Sequence, residues 1–311
     1  MILVTGGTGF VGRSLIRQLV SMGRQVRTLL RPSQKSPNLP GGIPVEVAVC
    51  GLTDERSLRA AMKDVEIIYH LAGTERAGSR ANLDDVDIAG TQTVVKIASE
   101  AGVKRFYYLS HLGADRASAF PLLKAKAIAE NFITRSNIPY TIIRSALAYG
   151  PDDQFTTSLE KLIRISPGFI LIPGDGSALI QPIWIEDLVT CLTSSLKDYQ
   201  AANQVYSIGG IEYLSFKTIL EEIMTITGIH QRLIPFPPAY LRLLTVWLEQ
   251  NRNFPVSAFL LDYLASDRTC PIDSVPRLFG LMPARFSHQL TYLKPQLKTS
   301  LWHRKQGMKD L

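Results

Sequence analysis

The sequence predicts an α/β fold, a doubly wound parallel sheet with a smaller C-terminal substrate-type domain. Three observations predict it: short apolar strands alternate with longer amphipathic stretches through the first half, a glycine-rich turn joins the first such pair, and the alternation weakens after Gly150. Repeated βα units of this kind place their strands in parallel, because each helix carries the chain back across the sheet.

ILVTG (2–6) reads as the first strand and GRSLIRQLVSMG as the helix that follows it. QVRTLLR (25–31) is the next strand, DERSLRAAMKD a helix and VEIIYHLAG (65–73) a strand. DVDIAGTQTVVKIASEAG has helical spacing, RFYYLS (105–110) is a strand, PLLKAKAIAENFITRS a helix and YTIIRSALAYG (140–150) a strand. Beyond it come irregular segments, PDDQF and LIPGDGSALIQPIW, then helical patterns in IEDLVTCLTSSLKD and SFKTILEEIMTITG on either side of a strand, QVYSIGG. There is no internal repeat and no low-complexity linker, so the second half is expected to pack on the first. The expected domains are 1–150 with a return segment at about 178–210, and 151–177 joined with 211–311.

Composition narrows the function classes. With 311 residues, 46% of them hydrophobic, the chain can bury a substantial core. It opens on MILVTGGTG without a signal-peptide pattern, and no apolar run reaches the roughly 18 residues of a membrane span, so a cytoplasmic or peripheral location is expected. Cys50, Cys191 and Cys270 are far apart and lack metal-ligand spacing, which points to buried thiols and to neither disulfides nor zinc. The net charge of +7 comes from scattered basic residues with no nucleic-acid recognition motif, so nucleic acid is not an expected partner. A basic surface also suits phosphate-rich cofactors and acidic lipids.

TGGTGFVGR carries Gly6, Gly9 and Gly12 in G-x-x-G-x-x-G spacing, after a strand and at the opening of a helix. Such glycines permit a tight turn and close approach of a pyrophosphate, which the helix N-terminus attracts through its free N–H groups and dipole. A dinucleotide-binding (Rossmann) domain is therefore expected. An NAD site usually has a carboxylate at the end of the second strand for the ribose 2′-hydroxyl; QVRTLLRPSQ has Arg31 there, which favours a 2′-phosphate and hence NADP, with NAD as the alternative.

Taken together, these landmarks resemble the extended and atypical branches of the short-chain dehydrogenase/reductase superfamily over almost the whole chain. TGGTGFVGR is similar to its cofactor turn, LTDERSLRAAMKDVEIIYHLAG to the adenine-side loop and fourth strand, and AGVKRFYYLSHLGA to the central strand and active-site loop. IPYTIIRSALAYGPDD, QPIWIEDLV and YSIGG resemble later landmarks, and SHLGAD followed by K-A-x-A-E resembles proteins related to the nucleotide-binding accessory subunit of respiratory complex I. The resemblance implies cofactor contacts from Gly6, Thr8, Gly9, Phe10, Val11 and Gly12, from Leu52, from Leu71, Ala72 and Gly73, and from Ser110 and Lys126.

The same resemblance exposes departures. Aligning K-A-x-A-E on Lys126 to Glu130 puts the family's catalytic tyrosine at Leu122, and its serine or threonine at about Leu112, beside Ser110 and His111. A leucine can neither donate a proton nor stabilise an alkoxide, so no catalytic residue is assigned. Gly51 replaces the aspartate of the adenine loop, and Asp87 stands where an asparagine is usual. Tyr213 and Lys217 in YLSFK repeat the tyrosine–lysine spacing but fall in the second half, so they are read as framework. His111 remains a candidate substitute acid.

In RLIPFPPAYLRLLTVWLEQNRNF, Tyr240, Leu241, Leu244, Trp247 and Leu248 form an apolar stripe bordered by Arg232, Arg242 and Arg252. Such a stripe is more often domain core than a membrane or partner surface. The tail adds Lys294, Lys298, Arg304, Lys305 and Lys309, which suit anionic lipid or an acidic protein. The expected protein therefore binds NADP(H) and serves a structural, sensing or complex-assembly role. A protein complex or a membrane surface is its prospective partner, and its substrate is left open. The alternative is a reductase, epimerase or isomerase acting on a nucleotide sugar or hydrophobic carbonyl compound.

Overall fold

A computed structural model describes residues 1–33, 39–196, 199–251 and 253–294. Arg252 and the tail residues Lys298, Arg304, Lys305 and Lys309 lie outside the described residues.

The first half is built from β1 (Ile2–Thr5), α1 (Phe10–Ser21), β2 (Val26–Leu30), β3 (Glu46–Val49), α2 (Glu55–Ala61), β4 (Ile67–His70), α3 (Thr91–Glu100), β5 (Arg105–His111), α4 (Pro121–Thr134) and β6 (Tyr140–Ser145). After it come β7 (Ala148–Tyr149), α5 (Thr156–Ile165), β8 (Phe169–Pro173), β9 (Leu179–Ile180), β10 (Ile183–Trp184), α6 (Ile185–Ser194) and β11 (Gln204–Ile208). The last part holds β12 (Leu214–Ser215), α7 (Phe216–Thr227), β13 (Arg232–Phe236), α8 (Pro238–Leu248) and α9 (Ala258–Tyr263).

Seven strands form one sheet in the order β11-β6-β5-β4-β1-β2-β3, and every pair is parallel. The strand order reverses between β1 and β4, so the ends of these two strands open the crevice in which such sheets bind ligands. Burial on both faces explains the near-continuous apolar runs of the central strands: all of β1 is buried, as are Phe106, Tyr107 and Tyr108 of β5. On one face Leu15, Ile16 and Leu19 of α1 pack with Leu188, Val189 and Leu192 of α6. On the other, Leu58, Val94, Ile97 and Ile133 of α2, α3 and α4 cover Leu3 and Ile68.

β3 escaped the sequence reading. Three of its four residues are exposed, so EVAV lacks the apolar signature of a buried strand and is held at the sheet edge by pairing with β2. The helix expected from Asp85 begins instead as a wider π-type turn over Leu83–Gly90, which runs into α3. The expected strand over 140–150 breaks after Ser145, and Ala148 and Tyr149 pair separately with β10.

A second hydrophobic core lies outside the sheet, where α5, α7 and α9 gather around Phe155, Leu159, Ile170, Phe216, Leu220 and Leu260. Here β8 pairs in parallel with β13. The weighting of the α8 stripe towards core holds for Leu241 and half-buried Leu248 and fails for Tyr240 and Trp247. Leu241 and Thr245 point inward, but Tyr240 is 66% and Trp247 70% exposed, with Leu243 beside them also exposed. The helix packs one side against α9 and β8, and Tyr240, Leu243, Leu244 and Trp247 on its other side face water. Among the described residues no helix is long and apolar enough to cross a membrane.

Candidate functional site

The glycine turn sits at the end of β1. Gly6 has φ +75°, in the left-handed region, and its carbonyl accepts the Gly9 N–H at 2.9 Å. A Cβ on Gly12 would lie 2.2 Å from the Gly6 carbonyl oxygen, so only glycine lets α1 approach the turn this closely. At Gly9, the helix N-cap, the same atom would meet only the Gly6 oxygen at 3.0 Å, and no side chain caps the first N–H groups of α1. These free donors and the open space over Gly9 suit a pyrophosphate. Gly7 was missed by the sequence reading. Its Cβ would collide with Thr28 Oγ1 at 2.2 Å, a constraint set by β2 packing beneath the turn.

Thr8, Phe10 and Val11 follow the turn partly buried, with the Phe10 ring close to Gly150. Leu71 and Ala72 leave β4 against the same turn, their amides donating to Thr5 O at 3.2 Å and Thr5 Oγ1 at 3.3 Å. Leu52 packs on Gly90 and the sheet core, while a Cβ on Gly51 would meet nothing within 4 Å. Arg31, directly after β2, is exposed.

His70 closes β4 inside the protein. Thr91 already donates to the Asp87 carbonyl at 2.7 Å, so it accepts from His70 Nε2–H at 2.9 Å, leaving Nδ1 to accept from Thr5 at 2.8 Å. Burial, with the Lys126 charge adding to it, pushes this imidazole down to about 3, so it is neutral.

The charged centre lies where α4 crosses the ends of β4 and β5. Lys126, 2% exposed, places Nζ 3.0 Å from Glu75 Oε1 and 3.4 Å from Asp87 Oδ1. Glu75 Oε1 is also 3.0 Å from His111 Nε2, and Asp87 Oδ2 accepts from Thr74 N at 3.1 Å and Thr74 Oγ1 at 2.6 Å. Burial opposes the Lys126 charge, but the Tyr108 ring beneath it and the Glu75 and Asp87 carboxylates hold its pKa well above the usual lysine value. Partial burial would raise the Glu75 carboxyl, yet His111 and Lys126 hold it well below the usual carboxylate range. A Cβ on Gly73 would lie 3.1 Å from both Asp87 Oδ1 and Lys126 Nζ, so the loop leaving β4 passes directly over this cluster.

Four sequence-named residues, Gly73, Asp87, His111 and Lys126, thus meet at one place, and Ser110 lies beside His111 on β5, fully buried and with no hydroxyl partner among the described residues. Glu75 had no sequence signal, because its partners come from α4 and β5. Leu122 stands one turn before Lys126 on α4, and both it and Leu112 are buried.

Tyr213 and Lys217 do not form a pair. Tyr213 precedes β12 and donates its hydroxyl to the Cys270 carbonyl at 2.8 Å, whereas Lys217 lies inside α7, 3.9 Å from Glu221. Cys50, Cys191 and Cys270 are buried, and burial pushes the Cys191 thiol up to about 12.

Residues 6–160 match the NAD(P)H-binding family. Over 244 residues the chain is 29% identical to the mitochondrial NADH dehydrogenase [ubiquinone] 1 alpha subcomplex subunit 9 of Arabidopsis thaliana; the match covers 76% of this chain and 60% of that protein's length. It is 24% identical over 301 residues to the Photosystem II assembly factor Ycf39 of Synechocystis, covering 94% of this chain and 89% of that one. A short-chain dehydrogenase/reductase superfamily protein from Agrobacterium tumefaciens, solved with bound NAD, shares the fold with a TM-score of 0.69 at 20% identity, covering 94% and 95% of the two chains.

Proposed function

Since residues 6–160 of this chain match the NAD(P)H-binding family, we propose that it holds NADP(H) across the ends of β1, β4 and β5 for a structural, sensing or complex-assembly role. The observation that carries this reading is Leu122, an apolar side chain one turn before Lys126 where the resemblance puts a phenol. With Leu112 it leaves no hydroxyl at the two positions that the family uses for proton transfer.

The residues present fit the dinucleotide. Gly9 and the bare N-terminus of α1 receive the pyrophosphate; Leu71, Ala72 and Gly73 form the wall beside it; Ser110 and Lys126 offer donors to the nicotinamide end. When bound, the group supplies a hydride donor or acceptor. Arg31, exposed after β2, favours the 2′-phosphate of NADP. The same reading divides the chain into 1–150 with 178–210, and 151–177 with 211–311. Both relatives described above are named as a complex subunit or an assembly factor, which supports a protein partner here, and the exposed apolar face of α8 is a surface on which a partner or a membrane could rest.

The second reading, a reductase, epimerase or isomerase, is favoured by His111 at the end of β5, whose Nδ1 has no hydrogen-bond partner among the described residues. Calorimetric titration with NADPH and NADH, followed by a turnover screen on nucleotide sugars, quinones and aldehydes, decides between them. Tight binding without turnover supports the first reading; turnover above about 1 s⁻¹, the lower end of ordinary enzyme rates, replaces it with the second.

A further inference from the structure

Among the described residues seven buried side-chain polar atoms have no hydrogen-bond partner, and six of them belong to one region: Asp87 Oδ1, Tyr108 Oη, Ser110 Oγ, His111 Nδ1, Tyr263 Oη and Arg268 Nε. Their residues form a continuous path. Lys126 joins Asp87 to the Tyr108 ring, His111 follows Ser110 on β5, the Tyr263 ring meets the His111 ring edge-on at 6.2 Å, and the Arg268 guanidinium lies 5.9 Å from the Tyr263 ring centre. Each buried polar group without a partner costs about 1–3 kcal/mol, so their gathering in one place marks a position that a polar ligand or ordered water completes.

Two of these groups come from the C-terminal part of the chain and lie outside the cofactor contacts described above. Tyr263 ends α9 and is 5% exposed; the Leu147 amide approaches its phenol without reaching hydrogen-bond geometry. Arg268 reaches back over the loop that leaves β5, where a Cβ on Gly113 would lie 2.8 Å from its Nη1. Its guanidinium lies over the Phe120 and Tyr263 rings, 5.6 and 5.9 Å from their centres, and no ion pair of the described residues involves it. A planar cation held by aromatic rings, without a carboxylate of its own, is a receptor for an oxyanion. Phe120 and the buried Leu112 give the surroundings an apolar character. Solvent reaches the edge of this region, where 41% of the Glu75 side chain beside His111 is exposed.

We propose that this cluster binds a small organic carboxylate carrying a second oxygen acceptor, with Arg268 holding the carboxylate and Tyr263 and His111 serving the second oxygen. The ligand lies against the nicotinamide end of the cofactor site, so its place rests on the dinucleotide reading, while its recognition rests on Arg268, Tyr263 and His111 alone. In the sensing role, it is the molecule sensed.

The test uses phenylglyoxylate, an aromatic 2-oxo carboxylate, and acetophenone, which has the same ring and carbonyl without the carboxylate. Both are titrated calorimetrically into the full chain, with and without NADPH, and NADPH binding is measured separately. Phenylglyoxylate is expected to bind about tenfold or more tightly than acetophenone, the difference of one charge-assisted contact. Arg268→Gln is expected to erase that preference, and Tyr263→Phe to weaken phenylglyoxylate about fivefold, the loss of one hydrogen bond, with NADPH affinity unchanged in both. If Arg268→Gln does not fold, Arg268→Lys keeps the charge without the planar fork and is expected to retain only part of the preference. Equal affinity for the two probes, an unaltered preference in the folded Arg268 variant, or no phenylglyoxylate binding at about 10 mM would each overturn the proposal, the last meaning that water completes these groups. Absence of NADPH binding would overturn the cofactor reading instead.

Discussion

Lys126 Nζ lies 3.0 Å from Glu75 Oε1, and the same carboxylate oxygen lies 3.0 Å from His111 Nε2. The loop after β4 thus neutralises a lysine on α4 and faces the last residue of β5. Removing the cation leaves Asp87, itself 1% exposed, as a buried charge without its counter-ion. Lys126→Met is expected to destabilise the fold by about 3 kcal/mol, the usual cost of breaking a buried pair, and to weaken dinucleotide binding. Calorimetric unfolding and NADPH titration measure the two effects. The sign with pH follows from the shifts: the depressed Glu75 contributes fully above about 4.5 and is lost as pH falls towards its lowered value, while the raised Lys126 contributes below about 10.5 and is lost above it.

The glycine turn separates packing from ligand approach. Gly12→Ala is expected to lower the melting temperature and abolish binding together, because its Cβ would meet the Gly6 carbonyl oxygen at 2.2 Å. Gly9→Ala faces only a 3.0 Å contact, so it is expected to cost about 1 kcal/mol of stability as a poorer helix cap, yet to block the pyrophosphate. A folded Gly9→Ala protein with undiminished NADPH affinity would show that the dinucleotide lies elsewhere.

Arg31 is expected to set cofactor preference. NADPH should bind more tightly than NADH, and Arg31→Ala should reduce the difference by roughly 1–3 kcal/mol, the range of a charge-assisted hydrogen bond. Parallel titrations of the two cofactors give the answer directly, and equal wild-type affinities would remove Arg31 from the site.

Tyr213→Phe deletes one hydrogen bond, to the Cys270 carbonyl, at a half-exposed position. The expected loss is about 1 kcal/mol or less, with no change in dinucleotide affinity or in any turnover. Loss of turnover in a folded variant would return YLSFK to the active site.

His70 makes stability depend on acid. Its folded value is about 3, below the ordinary 6.5, so between these values the unfolded chain takes up a proton that the native protein refuses. Stability therefore falls on acidification from about 6.5, by up to about 1.4 kcal/mol per pH unit, and His70→Gln is expected to flatten that slope in urea unfolding series.

The sequence by itself determined the parallel sheet, the glycine turn and the place of Lys126 on its helix, because each is written in a few neighbouring residues: the 3.6-residue and apolar-run patterns, Gly6-x-x-Gly9-x-x-Gly12, and K-A-x-A-E. The edge strand β3 was invisible for the same reason, since its mostly exposed EVAV carries no burial contrast and its strand form comes from β2. In α8 the pattern showed an apolar stripe but could not say what would cover it; only the packing of α9 and β8 along one narrow side leaves Tyr240 and Trp247 in water. Tertiary structure alone decided the site's charge pattern. Glu75, Asp87, Lys126 and His111 come from separate loops, helices and strands that converge where the strands end, and a carboxylate's partner there is set by distance in space, which local sequence spacing does not encode.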